Sequence, residues 1–372
     1  MLPIKQPSLI LLCMVEVLVN VVCCSANSEY AVIDLMGSID GEGSAVAVNN
    51  NGHVVGQYNQ GGRSRCFLWT PETGIVIILD DRDATPTGIN DNDVICGSVF
   101  VKSNSVHVFR WTRFEGFINI GLPFQRDSSF PGTINNQGDI VGYSYVKDLS
   151  GEIDGAAQAF LWTVERGFQD LNPKDARSSM AYSINDSRLV VGDVERSRGP
   201  LHRIACEWKC GHANTSIRAL SSAPSSAHDV NNNGIIVGEC GSINQSAVSW
   251  DVEGEQVSLG TLGGPWSKAV AINELGIIVG SSVTSGGFIR ELLEQKIGVE
   301  GLTPTTLTKQ RKEHAFIVRK GRISDLNNLV PSSSGWELIQ ASDVNNRGEV
   351  VGRGVYKGRN RPFLLRHIPD AR

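Results

Sequence analysis

Little in this chain commits it to a chemistry or a partner. Its 372 residues carry a formal net charge of −5, too mild and too evenly spread to attract nucleic acid or an anionic membrane. Cysteine is scarce beyond the first 26 residues: only Cys66, Cys96, Cys206, Cys210 and Cys240 remain. An odd count makes no disulfide framework, so most are read as small buried apolar residues. Cys206 and Cys210, in "CEWKC", are the nearest pair for a bridge in an oxidising compartment. No Gly-x-Ser-x-Gly elbow, phosphate loop or paired-histidine zinc helix occurs, and the seven histidines are scattered. "GRGVYKG" from Gly352 has the wrong spacing for a phosphate loop and leaves a strand. These absences nominate no catalytic residue, no metal ligand and no cofactor.

Long apolar runs are equally rare. The one candidate, residues 9–24, follows Lys5, contains Glu16 and Asn20, and ends in Cys24, Ser25 and Ala26. Sixteen residues fall short of the ~20 that a membrane-spanning helix needs. A basic residue, an apolar run and small residues are the layout of a secretory signal peptide. Residues 1–26 are therefore expected to be removed after Ala26, leaving 27–372 as one soluble extracellular or periplasmic domain. A unit of that size buries about 75% of its unfolded surface, so it needs no disulfides.

What the sequence does contain is repetition. "NNNGHVVG" at Asn49 returns as "NNNGIIVG" at Asn231, and alignment on that octet gives seven copies. They are "AVAVNNNGHVVG", "PTGINDNDVICG", "PGTINNQGDIVG", "AYSINDSRLVVG", "AHDVNNNGIIVG", "AVAINELGIIVG" and "ASDVNNRGEVVG", with the shared asparagine at 49, 90, 135, 185, 231, 273 and 345. Asparagine bonds its own backbone two residues on, and glycine accepts positive φ, so each octet reads as two strands and their tight turn. A third strand ends in an aromatic pair, with Trp69, Trp111, Trp162, Trp208 and Trp250 at one repeat position, read as core. A fourth strand follows, as in "GFQDL", "QVSLG" and "RISDL".

Four strands in each 41–50 residue repeat suit propeller blades better than solenoid coils. The seventh copy ends at "RPFLLRHIPDAR" without a fourth strand, whereas "YAVIDL", from Tyr30, stands alone before the first. Pairing the two closes a ring and leaves no open edge between the chain's ends. The expectation is an all-β, seven-bladed propeller of four-stranded blades, closed by the N-terminal strand on the last blade.

"HAF" at 314–316, with "LGTLGGPWSKAVAINELGIIVG" from Leu259, resembles the HAF repeats of secreted and cell-surface proteins. The resemblance covers nearly the whole mature chain. It implies an extracellular setting and supplies no activity. The chain departs from it at Cys206, which replaces the usual Phe in the fourth copy, and in an insertion at 281–313 in the sixth.

Asp80, Asp81, Asp83, Asp91 and Asp93 are the densest carboxylates. An intervening strand would hold the first three about 16 Å from the last two, so they read as solvated loop acids. Within the insertion, residues 288–297 ("FIRELLEQKI") have the apolar spacing of a short amphipathic helix. Trp266 and Trp336 fall in links expected on the same face. The candidate ligand-binding residues are therefore Trp266, Trp336, Phe288 and Arg290, near the sixth blade. An equally simple arrangement has the helix cap the ring with both tryptophans packed beneath it.

The function these features favour is a secreted or surface-exposed, non-catalytic interaction module. Its partner would be an extracellular glycan or protein, with no nucleic acid, no membrane span and a monomeric chain. An enzyme acting on extracellular polysaccharide is the alternative; it needs converging carboxylates, and Asp40, Glu42 and Asp127 could reach that face. A purely structural surface protein is the third reading. Asn185, Asn214 and Asn244 each begin an N-glycosylation pattern.

Overall fold

The computed structural model describes residues 28–79, 83–101, 105–124, 126–147, 153–196, 203–211, 215–242, 244–285 and 312–368. The expected signal peptide at 1–26, residues 288–297 with Phe288 and Arg290, and Asn214 lie outside them. Twenty-eight strands are described, and each copy folds as an antiparallel meander. In the first copy these are an inner strand Glu42–Val48, a second Val54–Gln60, a third Arg63–Thr70 and an outer Gly74–Leu79. In the seventh, the outer place is taken by Tyr30–Asp34, antiparallel to Arg359–His367, with Tyr30 opposite His367 and Asp34 opposite Phe363. Arg361 fixes that junction by pairing with the Asp34 carboxylate at 2.8 Å.

The sheets are not seven separate units. Five have four strands, and one has eight. The larger one joins the second and third copies through a parallel contact of Ser128 with Val106. Two hydroxyls draw these strands together: Ser105 donates to the Asp127 carbonyl, and Ser129 to the Val106 carbonyl at 3.3 Å. Elsewhere neighbouring meanders meet mostly through side chains, with a backbone bond from the Ser267 N–H to the Gln245 carbonyl at 3.0 Å between the fifth and sixth copies. The inner strands pack in succession, and that of the first copy lies against that of the seventh, Trp336–Val344.

The shared asparagine does more than cap its own turn. Asn49 Oδ1 accepts from the backbone N–H groups of Asn51 at 3.1 Å and His53 at 3.0 Å, which is the expected local role. Its Nδ2 donates to the backbone carbonyl of Asn90, the equivalent residue of the next copy. The pattern runs Asn90 to Asn135, Asn185, Asn231, Asn273 and Asn345, and Asn345 donates back to Asn49. All seven bonds are 2.8–3.2 Å long, and all seven asparagines are buried. The circuit of hydrogen bonds therefore returns to its start.

Two copies lack the turn glycine, and each has a compensating contact. Asp93 and Arg188 hold the left-handed φ values of 58° and 61°, a conformation costing a non-glycine residue roughly 1–2 kcal/mol. Asp93 reaches back to His53 of the first copy at 2.7 Å. Arg188 reaches back to the buried Asp139 of the third at 2.7 Å.

The core fills the gaps between meanders. The residue four before each asparagine is always Ala or Pro, and Ala181, Ala227 and Ala269 are wholly buried. Phe67, Phe109, Phe160, Phe316 and Phe363 are also at 0% exposure, two places before the expected tryptophan position. Each contributes about 1.5–3 kcal/mol of burial. They explain the second glycine of the octet: a Cβ on Gly56 would stand 2.4 Å from the Ser44 carbonyl oxygen and 2.5 Å from the Phe67 ring. The tryptophans are less uniform than expected. Trp208 and Trp250 are fully buried and Trp69 nearly so, but Trp111 and Trp162 are half-buried on the rim of the core. Cys206 and Cys210 cannot bridge, because both lie on one extended strand, Arg203–Cys210, which sets their Cα atoms about 13 Å apart.

Candidate functional site

One end of the ring is closed by its own framework. The residue before each asparagine is Val48, Ile89, Ile134, Ile184, Val230, Ile272 or Val344, and all seven line a single depression of ≈ 180 Å³. Around it runs a second polar circuit. The Asn50 N–H donates to Asp91, the Asp91 N–H to Asn136, the Asn136 N–H to Asp186 and the Asp186 N–H to Asn232. It continues through Glu274 and Asn346, and the Asn346 N–H returns to Asn50 Oδ1 at 2.8 Å. The carboxylates of Asp91, Asp186 and Glu274 are thus occupied in joining neighbouring turns. Asp93 is occupied as well. This end holds the ring together.

The opposite end is where the copies differ. Three positions of each copy alternate out of the core: five and three residues before the asparagine, and eight after it. The first and last face each other across the inner and second strands, as in Ser44 with Gln57, Thr85 with Ser98, Phe130 with Tyr143 and Met180 with Asp193. Copies five to seven place Ser226 with Glu239, Lys268 with Ser281 and Gln340 with Arg353. Nearly all are part-exposed, while the Ala or Pro between them is buried. Strand alternation turns these side chains away from the buried Ala or Pro and toward the space that the successive inner strands border, termed the cup below. Copies one and two bring small or polar groups to it; copies three to five bring aromatic rings and charge.

The aromatic wall is continuous. Tyr143 meets Phe130 at 5.7 Å, Tyr145 at 5.7 Å and Tyr182 at 6.1 Å between ring centres, the last two edge-on. Tyr182 in turn lies 5.6 Å from the His228 ring. The Tyr182 hydroxyl donates to Asp193 at 3.0 Å and the Ser226 hydroxyl to the same oxygen at 2.9 Å. The Arg203 guanidinium stands 3.5 Å from the other Asp193 oxygen.

Burial pushes the Asp193 carboxyl above the usual range, against the pull of Arg203 and the two hydroxyls. Burial and the Asp193 charge push the Tyr182 phenol up. Burial holds the His228 imidazole low. Burial alone would raise Glu239, but His228 at 3.6 Å and the Lys268 ammonium outweigh it and hold that carboxyl low. Deeper in the cup, Asp343 is pushed up to about 7 by burial and by the Asp229 charge. Asp343 accepts the Val48 N–H at 2.8 Å, across the junction of the last and first copies.

Of the residues nominated from sequence, Phe288 and Arg290 lie outside the described residues. Trp266 and Trp336 sit on inner strands, Gly263–Ile272 and Trp336–Val344, not in links. The ladder starts earlier than the octet suggests, with Gly263 paired to Thr284 and Trp336 to Tyr356. Trp336 stacks on Tyr356 at 4.9 Å and 11°, meets Phe363 edge-on, and packs against the core. Asp40 pairs with Arg359, and Glu42 contacts Asn360. The cup residues were missed, although aligning the copies exposes them: the framework letters recur while these three positions change.

No protein-family model matches the chain, and neither does any curated protein. Solved structures do. An oligogalacturonate lyase from Vibrio parahaemolyticus superposes with a TM-score of 0.58 at 11% identity, over 91% of this chain and 94% of that one. A virginiamycin B lyase from Staphylococcus aureus gives 0.51 at 10%, over 91% and 100%. The acylaminoacyl peptidase of Pyrococcus horikoshii gives 0.58 at 11%, over 89% of this chain and 53% of that one, so the chain spans about half of that enzyme. The fold is of the β-propeller type. At these identities the likeness extends to fold alone. Among the described residues, no helix is long and apolar enough to cross a membrane.

Proposed function

We propose that the chain is a secreted, closed, seven-bladed propeller built of HAF-type repeats, and that it binds an extracellular glycan or protein in its cup without chemistry. The eight-stranded sheet is then two blades joined at Val106 and Ser128, and Tyr30–Asp34 is the outer strand of the last blade. The observation that carries the functional reading is the split within the repeat. Seven copies keep the turn, the core and the asparagine circuit, yet the cup-facing positions range from Ser44 and Thr85 to Tyr143, Asp193 and His228. A wall of part-exposed tyrosines beside satisfied polar groups suits stacking and hydrogen bonding to a ring-bearing ligand. In this reading the site expected near the sixth blade, beyond the strand Ile278–Thr284, would extend the cup.

The test is a glycan and protein array probed with wild type and a Tyr143→Ala, Tyr182→Ala double variant. Loss of the wild-type hits, with the β circular-dichroism signal kept, is expected. Identical hits for both proteins would remove the cup as the binding site.

One observation favours the enzymatic alternative. Asp193 and Glu239 occupy the same position in adjacent copies, and their surroundings push the two carboxyls in opposite directions, as an acid and base pair requires. A polysaccharide-degradation screen comparing wild type with Asp193→Asn separates the two readings. Cleavage by wild type that the variant loses would make the protein an enzyme.

A further inference from the structure

The charges around the cup are unevenly matched. In the fourth copy Arg203 is held by Asp193, and Arg177 by Glu195 at 2.7 Å. On the far side, the sixth and seventh copies bring Lys268 and Arg353 to the same level of the wall. Among the described residues, neither cation has a carboxylate within ion-pair distance. Arg353 Nη2 donates to Gln340 Oε1 at 3.1 Å, and Gln340 passes its own Nε2 to Glu313 at 3.0 Å. Arg353 Nε is buried and has no acceptor among the described residues. The Lys268 ammonium makes no hydrogen bond among the described residues, and its charge acts on His228 and Glu239 of the neighbouring fifth copy.

A buried guanidinium N–H without an acceptor is unfavourable until an oxygen reaches it. The planar fork of arginine fits a carboxylate or sulfate better than any neutral group. The chain as a whole is acidic, at −5, so an anion would be drawn here by local geometry and not by the general field. The hydroxyls of Ser281 and Ser342 belong to the same two copies, and the tyrosines belong to the third and fourth.

We propose that Arg353 and Lys268 form an anion seat, and that the ligand of the cup is a saccharide carrying a carboxylate or sulfate group. This rests on the cup being the binding site. The sugar ring lies against Tyr143 and Tyr182, its hydroxyls meet serine and glutamine side chains, and its anionic group takes the free Nε of Arg353.

Calorimetric titration of the full chain tests it with three probes: a uronic-acid oligosaccharide, the same oligosaccharide as its methyl ester, and a sulfated oligosaccharide. The acid should bind at least about tenfold more tightly than the ester, the equivalent of one charge-assisted hydrogen bond, and the gap should narrow in high salt. Arg353→Gln should bring the acid down to the level of the ester while leaving the thermal midpoint unchanged or higher. Lys268→Met should narrow the gap by a few-fold. Preference for the sulfated probe over the uronate assigns the anionic group to a sulfate ester. If acid, ester and sulfated probe bind alike, or if Arg353→Gln keeps the preference, the seat is wrong; where Tyr182→Ala still abolishes that binding, the cup reading survives. If no saccharide binds at all, on the array or in solution, the seat falls, and the cup reading falls with it unless the array returns a protein that the Tyr143→Ala, Tyr182→Ala variant loses.

Discussion

Replacing Asn273 with aspartate isolates the bond between copies from the bond within a turn. The new carboxylate keeps an oxygen where Asn273 Oδ1 accepts the Leu275 and Ile277 N–H groups at 3.0 and 2.9 Å. What disappears is the donation from Nδ2 to the Asn345 carbonyl at 2.8 Å. At neutral pH a negative oxygen then faces a carbonyl oxygen at a site only 4% exposed. Losing the bond and leaving the carbonyl without a donor costs about 1–3 kcal/mol, and the uncompensated buried charge carries the total to roughly 3–5 kcal/mol. With an unfolding entropy of about 2.1 cal/mol/K per residue over some 340 residues, 3 kcal/mol lowers the melting point by about 4 °C. Acid should reverse this, because a protonated carboxyl again donates to Asn345. Asn273→Ala loses donor and acceptors together and should show no such recovery relative to wild type. Scanning calorimetry of the three proteins at pH 7 and pH 4 makes the comparison. If the aspartate variant melts with wild type at pH 7, or its deficit is the same at both pH values, the circuit is not supporting the fold.

Other outcomes follow from individual side chains. Asp343 is pushed up to about 7, above its unfolded value near 3.9, so its contribution is complete below pH ~4 and is lost as pH rises through 7. Asp343→Asn, which still accepts the Val48 N–H, should match wild type at pH 4 and exceed it at pH 8, by at most about 4 kcal/mol; equal denaturation midpoints at pH 8 would refute this. Arg188→Gly relieves a positive φ of 61° but strips the buried Asp139 of its guanidinium, and the net effect should be destabilising in urea titrations, since an unpaired buried charge outweighs local strain. In a glycosylating host, mass spectrometry should find sugar on the exposed Asn244 and none on Asn185, whose buried amide is committed to Asn231.

Much of the architecture was legible because the repeat states it. The turn, the strand pair after it and the stray N-terminal strand can be read from spacing, and Tyr30–Asp34 does lie on the last strand of the chain. The circuit was not read, though a signal was present. Aspartate or serine would cap such a turn as well as asparagine, yet all seven copies have asparagine. Only an amide both accepts within the turn and donates beyond it. The tryptophans are the largest apolar groups at a shared position, but the phenylalanine two places earlier, where it occurs, sits against the glycine of the second strand and is buried in full in every such copy. The candidate site was illegible for a different cause. Trp266 and Trp336 are conspicuous because they break the pattern, whereas the cup is composed of positions that the pattern simply leaves unspecified.

That distinction explains why function and fold are separable here. At the asparagine end almost every polar group is matched to a neighbour in the next copy, so a change there disturbs two copies at once, and the circuit couples those to the rest. In the cup, Ser44, Phe130, Lys268 and Gln340 hold the same place on equivalent inner strands, and the ladder is indifferent to which side chain projects from it. The repeat tolerates a serine, a phenylalanine or a lysine there because none of them joins the framework bonds. Substitutions at these positions can therefore change one wall of the cup, copy by copy, without altering the asparagine circuit. Arg353, bonded on that wall to Gln340 alone among the described residues, is likewise outside the circuit, so Arg353→Gln should leave the framework bonds intact.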